Sequence, residues 1–411
     1  MAINAHRAFT SSSTNNYLAG LTVERDREDE LRAARDDARE AVRNALRTIT
    51  SPYLFESATV EQSALRPKFR MQGSFAYRTL NDPSQAPQEI DLDDGMFVPV
   101  SFLTGSEGNA RPGIISDRYF EAVEAALAPL CDARGWELET DLPSCVRIRL
   151  NDGAHVDMAL YAIPDEEFAI LVEKAAPEGM ANDSLRAAAD SIEFSEQVYR
   201  DLDPDQIMLA HREEGWKPSD PRKLDEWFQE GLKAHGEQFR RVCRYLKGWR
   251  DHTWSSCRLA SIALMACARA SFDADKSIAD NRDDLRMLDV SQRLPEQLKT
   301  RIRNPVVEGQ FLDEKWDKPA RDDFVQKAQD LAGRLEDALL GSDSKQAAVN
   351  ALIGAFGPRV PNDVSLILTD DDPSGGGVPM PAILKSGMLH ELGREPAVRD
   401  VVRKDGDGRY G

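Results

Sequence analysis

Apolar residues recur at three- and four-residue steps through residues 24–49. Leu31, Ala34, Ala38, Val42, Ala45, Leu46 and Ile49 alternate there with charge, and the spacing predicts one long amphipathic helix. Tyr119, Val123, Ala126, Leu127 and Leu130 predict a second over 116–134. The period shortens to two in CVRIRL (145–150) and HVDMALYAIP (155–164), which read as strands, and EIDLDDGMFVPV (89–100) reads as a strand with a turn inside it. Residues 66–80 mix basic and aromatic side chains around a Gly-Ser pair, and NDPSQAPQ (81–88) is a turn-rich loop. After about residue 195 the pattern turns helical, most strongly over 237–254 and 256–272, then over 321–340 and 344–356. The polar stretch Thr10–Asn16 is either an ordered strap or a frayed end, and DDDPSGGGVP (370–379) opens a polar tail. No repeat is present. The layout is an α+β chain: a mixed strand-and-helix core over 1–195 that includes the N-terminal helix, a helical lobe over 196–369, and a flexible tail over 370–411. A cleft between two such lobes is a common ligand site.

Composition narrows the function classes. A chain of 411 residues with 41% hydrophobic and 30% charged residues has the makeup of a globular protein. No apolar run reaches the length of a bilayer span, and the first residues lack the apolar stretch of a signal peptide, so a cytoplasmic protein without membrane contact is expected. Cys131, Cys145, Cys243, Cys257 and Cys267 are scattered, with no CxxC pair, and read as reduced thiols rather than a disulfide framework or zinc ribbon. Against 71 acidic residues stand 52 Lys and Arg, a net charge of -19. That balance repels a long phosphate backbone, so DNA or RNA is not the expected partner. Small nucleotides remain possible where a cation and a local basic cluster reverse the sign.

The informative segment is Glu89-Ile90-Asp91-Leu92-Asp93-Asp94-Gly95. In a strand, residues i and i+2 face one way, so Asp91 and Asp93 project together while Ile90 and Leu92 point into the core. Two like charges so close call for a cation, and magnesium suits them because it prefers oxygen and completes its shell with substrate phosphates. Asp157, on another strand, completes a three-carboxylate site if the two strands pair, and two metals there can serve in-line phosphoryl transfer. Upstream, Gln72-Gly73-Ser74-Phe75 offers a glycine for close phosphate approach and a hydroxyl donor at the start of a helix. An isolated Asp-x-Asp is commonplace in an acidic protein, and Asp152, Asp283 and Asp284 are assigned to surface loops on that ground. His155 reads as a structural histidine.

Gly-Ser, then Asp-x-Asp, then a third strand aspartate is the order found in polymerase-β-like nucleotidyltransferases. More closely, QGSFAYRTLN (72–81), QEIDLDDGMFVPV (88–100), HVDMALYAIP (155–164), WKPSDPRKLDEWF (216–228), RRVCRYLKGWRD (240–251) and FGPRV (356–360) resemble the bacterial cGAS/DncV-like nucleotidyltransferases (CD-NTases) of CBASS anti-phage systems, in the DncV-type clade. The resemblance implies a polymerase-β-like core plus a helical C-terminal lobe with the active site between them. It implies ATP and GTP as substrates, two magnesium ions that manganese can replace, and a cyclic dinucleotide such as 3′,3′-cGAMP as product. Asp91, Asp93 and Asp157 correspond to the catalytic metal triad, with Asp157 nearest the attacking hydroxyl, and Gln72, Gly73 and Ser74 to the donor-phosphate motif. Tyr77 corresponds to an aromatic stacking near a base, Lys247 and Ser261 to triphosphate-holding residues, and Asp323 to a base-recognising position. Read without the family, Tyr77 fits a core equally well, Ser261 fits ordinary helix packing, and Lys247 lies off the apolar stripe of its helix, either solvated or reaching into the cleft. The terminal Gly411 resembles a point of attachment used by ubiquitin-conjugation-like enzymes, where the plain alternative is a disordered end. A monomer is otherwise expected.

Competing readings are a cyclic trinucleotide synthase, a non-cyclising nucleotidyltransferase, and a catalytically silent nucleotide-binding scaffold. A P-loop is excluded because the glycines at 375–377 lack the following Lys-Ser/Thr, and an EF-hand over 273–284 because Ile278 holds the glycine position.

Overall fold

The computed structural model describes residues 3–48, 67–99, 112–151, 153–163, 207–219 and 221–369. Asp152, the core–lobe boundary at 195, the tail over 370–411 and Gly411 lie outside the described residues. In chain order the elements are β1 (Ile3–Asn4), α1 (His6–Phe9), α2 (Tyr17–Gly20), α3 (Arg25–Thr48), β2 (Lys68–Met71), α4 (Gly73–Ala76), β3 (Ile90–Pro99), α5 (Pro112–Arg134), β4 (Glu137–Glu139), β5 (Cys145–Leu150), β6 (Ala154–Ile163), β7 (Met208–His211), β8 (Gly215–Pro218), α6 (Pro221–His235), α7 (Glu237–Thr253), α8 (Ser261–Ala274), α9 (Asp283–Lys299), α10 (Lys318–Glu336), α11 (Lys345–Phe356) and β9 (Leu368–Thr369).

A seven-stranded sheet runs β2-β3-β6-β5-β4, with β7 paired to β6 and β8 to β7. β3 and β6 are parallel, and the other pairings in this sheet are antiparallel. Period-two alternation gives the sheet two chemically different faces. Met96, Val98, Val146, Ile148, Met158 and Leu160 join Ala38, Val42 and Leu46 of α3 and Tyr119, Val123 and Leu127 of α5 in one buried cluster. Ile90, Leu92 and Val156 extend that face under Leu31 and Ala34 of α3. The odd-numbered residues of β3 and β6 therefore point to the opposite face, away from the helices.

β3 is continuous where a turn was expected. Asp94 falls on the helix-facing side with no exposure, and Arg39 of α3 neutralises it, Nε donating to Oδ2 at 2.7 Å. Gly95 follows because a Cβ there would lie 2.2 Å from Nε2 of Gln72. Asp-Gly here serves packing between layers, not chain reversal. The helix expected over 256–272 starts later, at Ser261: Trp254 leaves α7 with extended backbone and packs edge-on against Trp249 and Phe324.

The helical lobe, α6 to α11, encloses its own core, and the first residues of the chain are part of it. Ile3, Ala5, Phe9 and Tyr17 are buried with Tyr245, Leu285, Leu352 and Phe356, and β1 pairs antiparallel with β9. Thr10–Asn16 is an ordered strap, with Asn16 Oδ1 accepting from Ala19 N at 3.0 Å to cap α2. The sequence reading of Asp283 and Asp284 is corrected: both are wholly buried at the start of α9. Asp283 accepts from Arg241 at 2.6 and 2.7 Å and from Tyr245 Oη at 2.8 Å. Asp284 accepts from Arg282 at 2.9 Å and from the Ala5 amide at 2.8 Å. Buried carboxylates persist because each is paired and hydrogen-bonded.

The loop after α4 joins the lobes. Gln85 and Gln88 amides donate to the carbonyls of Asp251, His252 and Trp254 at the C-terminal end of α7, at 2.7–3.1 Å. Those are carbonyls that a helix end leaves without partners of its own. Arg359 donates to Asp82 Oδ2 at 2.8 Å and Pro83 O at 2.6 Å.

Replacing Asp283 with Ala leaves the Arg241 charge and the Tyr245 hydroxyl without their acceptor. Urea denaturation is expected to show a loss of about 3–5 kcal/mol, and a midpoint within error of the parent would contradict this account of the lobe.

Candidate active site

Gly73 sits at the turn from β2 into α4, just after Gln72 N donates to Asp93 O at 2.9 Å. Its φ is +60°, in the left-handed region, and a Cβ there would fall 1.8 Å from Asp93 Oδ2. Backbone conformation and the adjoining carboxylate both require glycine. The Gly-Ser turn is thus built against one of the acidic side chains rather than merely near it. Ser74 O accepts from Thr79 N at 2.9 Å, folding the chain back toward the helical lobe.

The parallel register places Asp91 opposite His155 and Asp93 opposite Asp157. On the other side of β6, β5 places Arg147 opposite Asp157 and Arg149 opposite His155, and β4 adds Glu139 and Glu137 opposite those arginines. Two charged rows therefore cross the sheet face: Asp93, Asp157, Arg147, Glu139 and Asp91, His155, Arg149, Glu137. Arg147 grips Asp157 with both arms of its fork, Nε to Oδ1 and Nη2 to Oδ2, each at 2.7 Å. Glu89 ties the second row together, its Oε2 lying 2.9 Å from His155 Nδ1 and its Oε1 accepting from Arg149.

The rows end in a concentration of unsatisfied negative charge. Burial, with the repulsion of Asp91 and Asp157 added, pushes the Asp93 carboxyl up to about 7. Burial works to lower the His155 imidazole, but the Asp91 and Asp157 carboxylates outweigh it and raise the group above its ordinary value. His155 Nε2 lies 3.1 Å from Asp91 Oδ1, yet neither atom, both buried, has a hydrogen bond of acceptable geometry. Asp91, His155 and Asp157 each offer a ligand atom within 4.8 Å of the others. Two carboxylates from neighbouring strands and an imidazole, with the Asp93 carboxyl close enough to be repelled by both aspartates, fit a divalent cation.

A cavity of about 520 Å³ opens above this floor, between the sheet and the helical lobe. Gly73, Ser74, Tyr77, Asp91 and Asp93 line it from the core, and Lys247, Arg250, Asp251, Ser261 and Met265 from the lobe. Lys247 is buried and donates to Thr79 O at 2.7 Å. Burial and the Arg250 charge push its ammonium down to about 8, against the pull of Asp251. Ser261 Oγ, at the start of α8, accepts from Arg250 Nη1 at 2.7 Å. Tyr77 joins both alternatives held open by its sequence context: it packs against Phe228, centroids 5.2 Å apart, and also lines the cavity.

Two candidates fall elsewhere. Gln72 directs its side chain beneath Gly95, Oε1 accepting from Tyr161 Oη at 3.2 Å, so only its backbone adjoins the Gly-Ser turn. Asp323, on α10, accepts from Trp254 Nε1 at 2.8 Å and does not line the cavity. His155, read as a structural histidine, stands among the carboxylates. Arg147 was not singled out from sequence. The alternation in CVRIRL does put Arg147 and Arg149 on one face of β5, which was the available signal.

With this geometry in view, the relatives can be compared. The nucleotidyltransferase-domain family described as cyclic GMP-AMP synthase DncV-like matches residues 67–161, and the cyclic GMP-AMP synthase C-terminal domain matches 236–369. The chain is 32% identical over 330 residues to the cyclic GMP-AMP synthase of Vibrio cholerae serotype O1, covering 76% of this chain and 72% of that one. To a cyclic GMP-AMP synthase of Escherichia coli it is 31% identical over 324 residues, covering 74% and 70%. The structure of Vibrio cholerae DncV cyclic AMP-GMP synthase in complex with the linear intermediate 5′ pppA(3′,5′)pG superposes with a TM-score of 0.72 at 26% identity, over 90% of this chain and 100% of that one. The fold is that of a polymerase-β-like nucleotidyltransferase, and the chain belongs to the DncV-like cyclic GMP-AMP synthase family.

Proposed function

We propose that this enzyme joins ATP and GTP, in two phosphoryl-transfer steps, into a cyclic dinucleotide of the 3′,3′-cGAMP kind, releasing one pyrophosphate in each. The observation that carries the reading is the pair Asp91 and Asp93 on the cavity floor, with Asp157 opposite Asp93 on the paired strand and the glycine turn packed on Asp93. Asp91, Asp93 and Asp157 would hold magnesium, which when bound would supply charge neutralisation for the triphosphate and a lowered pKa for the acceptor hydroxyl. The remaining chemistry is positioning. Ser74 and Ser261 present hydroxyl groups and Lys247 an ammonium to the donor phosphates, and Arg250 fixes the Ser261 hydroxyl through its hydrogen bond. Tyr77, with Met265 across the cavity, offers an apolar wall to a base. The acceptor oxygen attacks the α-phosphorus, its proton leaves toward the Asp157 side, and the bond to the pyrophosphate oxygen breaks. The linear product then presents its second hydroxyl to the same carboxylates for ring closure.

The reading extends to a cytoplasmic enzyme of anti-phage defence. No helix of the described residues is long and apolar enough to cross a membrane, and the net charge of -19 disfavours long nucleic acid as a substrate.

The Asp91→Asn, Asp93→Asn double variant is expected to lose about a thousand-fold or more of product formation from an ATP and GTP mixture, read by mass spectrometry. Its unfolding midpoint should not drop, since like charges in repulsion are removed. Undiminished product would remove the assigned site, and a cyclic trinucleotide or linear oligomer from the parent would redirect the reading of its product.

Lys247 supplies a pH dependence. The ammonium is cationic below about 8 and neutral above it, so attraction for a triphosphate is present at lower pH and lost as pH rises through that value. The kcat/KM for ATP should therefore fall on the alkaline side, and Lys247→Arg, whose guanidinium stays charged, should flatten that limb. An alkaline limb that persists in the Arg variant would assign it to another group.

A further inference from the structure

Asp157 is already charge-paired within the protein. Both of its carboxylate oxygens accept from Arg147, at 2.7 Å each, in the paired geometry that makes such contacts strong. Asp91 Oδ1, by contrast, has no hydrogen-bond partner. The three acidic groups are thus unequal: one is already neutralised from within the protein. Arg147 also has a second acidic neighbour in its own row, with Glu139 Oε2 4.0 Å from Nη1 on the side away from Asp157. The guanidinium lies at the cavity edge, 22% exposed, with space before it. It stands between two carboxylates, and only one of them belongs to the candidate metal site.

From this geometry we propose that Arg147 is a resident counter-cation that competes with divalent metal for Asp157. The proposal rests on the metal-site reading given above. In the nucleotide-free enzyme the guanidinium neutralises the Asp157 charge, occupies one lone pair on each of its oxygens and sets a positive charge beside the place a cation would take, so metal affinity is low. Metal and triphosphate together tip the exchange, Arg147 releasing at least one Asp157 oxygen and keeping Glu139 as its partner. The competent site is then assembled only when substrate is present. Arg147 is a positioning residue in this scheme: it acts through Asp157.

The test is direct titration of Mn²⁺ into nucleotide-free, full-length protein, with free Mn²⁺ followed by electron paramagnetic resonance. Arg147→Met is expected to bind Mn²⁺ about ten-fold more tightly than the parent, or better, the scale of a charge-assisted bond pair. Arg147→Lys, which cannot cover both oxygens, should fall between and stands in if the Met variant does not fold. Arg149→Met removes a charge of the same sign from the neighbouring row and should change the affinity by less than about three-fold. Adding Asp157→Asn to Arg147→Met should erase the gain. Arg147 variants that bind no better than the parent, or an Arg149→Met gain as large as that of Arg147→Met, would overturn the proposal. In either case Mn²⁺ binding to the parent together with a non-hydrolysable ATP analogue would leave the catalytic reading standing. Absence of binding in every protein, analogue included, would sink both.

Discussion

The acidic floor of the cleft depends on parallel pairing of β3 with β6 in one register, Asp93 opposite Asp157. Carboxylates repel, so nothing in their own chemistry draws these strands together. The register is imposed from the other face, where Ile90, Leu92, Met96, Val156, Met158 and Leu160 must all be buried beneath α3 and α5. A slip of one residue would turn the whole apolar set toward the cleft. Hydrophobic burial thus enforces the electrostatic conflict, and the conflict is what makes the floor a place for cations.

That division explains what could be read in advance. The helix over 25–48 and the strands over 145–150 and 154–163 are stated by local periodicity, and the structure reproduces them nearly residue for residue. Asp91 and Asp93 share a face by strand geometry alone. The union of Asp157 with them needed a pairing that no local pattern specifies. Misreadings arose where a polar residue had a distant partner. Asp94 looks like a turn until Arg39 is placed beside it, and Asp283 and Asp284 look solvated until Arg241, Arg282 and the Ala5 amide are found around them. His155 and Arg147 belong to the same class, since their meaning comes from the strand alongside. Gln72 shows the reverse case: it adjoins the Gly-Ser motif in sequence while its side chain serves the layer beneath.

Polar contacts to backbone, beside the packing of Tyr77 on Phe228, hold the helical lobe to this floor. Lys247 reaches Thr79 O, Arg240 reaches Tyr77 O, and Asn81 reaches Arg244 O, each at 2.7–2.9 Å. With Gln85 and Gln88 on the end of α7, they fasten the segment between α4 and β3 along one helix. The same segment carries Glu89, which orients His155 next to Asp91. Cleft width and carboxylate geometry are therefore set by one stretch of chain.

The pairing of β1 with β9, and of the Ala5 amide with Asp284 across 279 residues, bears on how the protein is made. Residues 3–5 find these partners only after residues 284 and 368–369 have been synthesised. Long-range closure of this kind slows folding. During synthesis the helical lobe lacks Ile3, Phe9 and Tyr17 from its interior until that earlier segment docks, so the lobe cannot complete its core from its own helices alone.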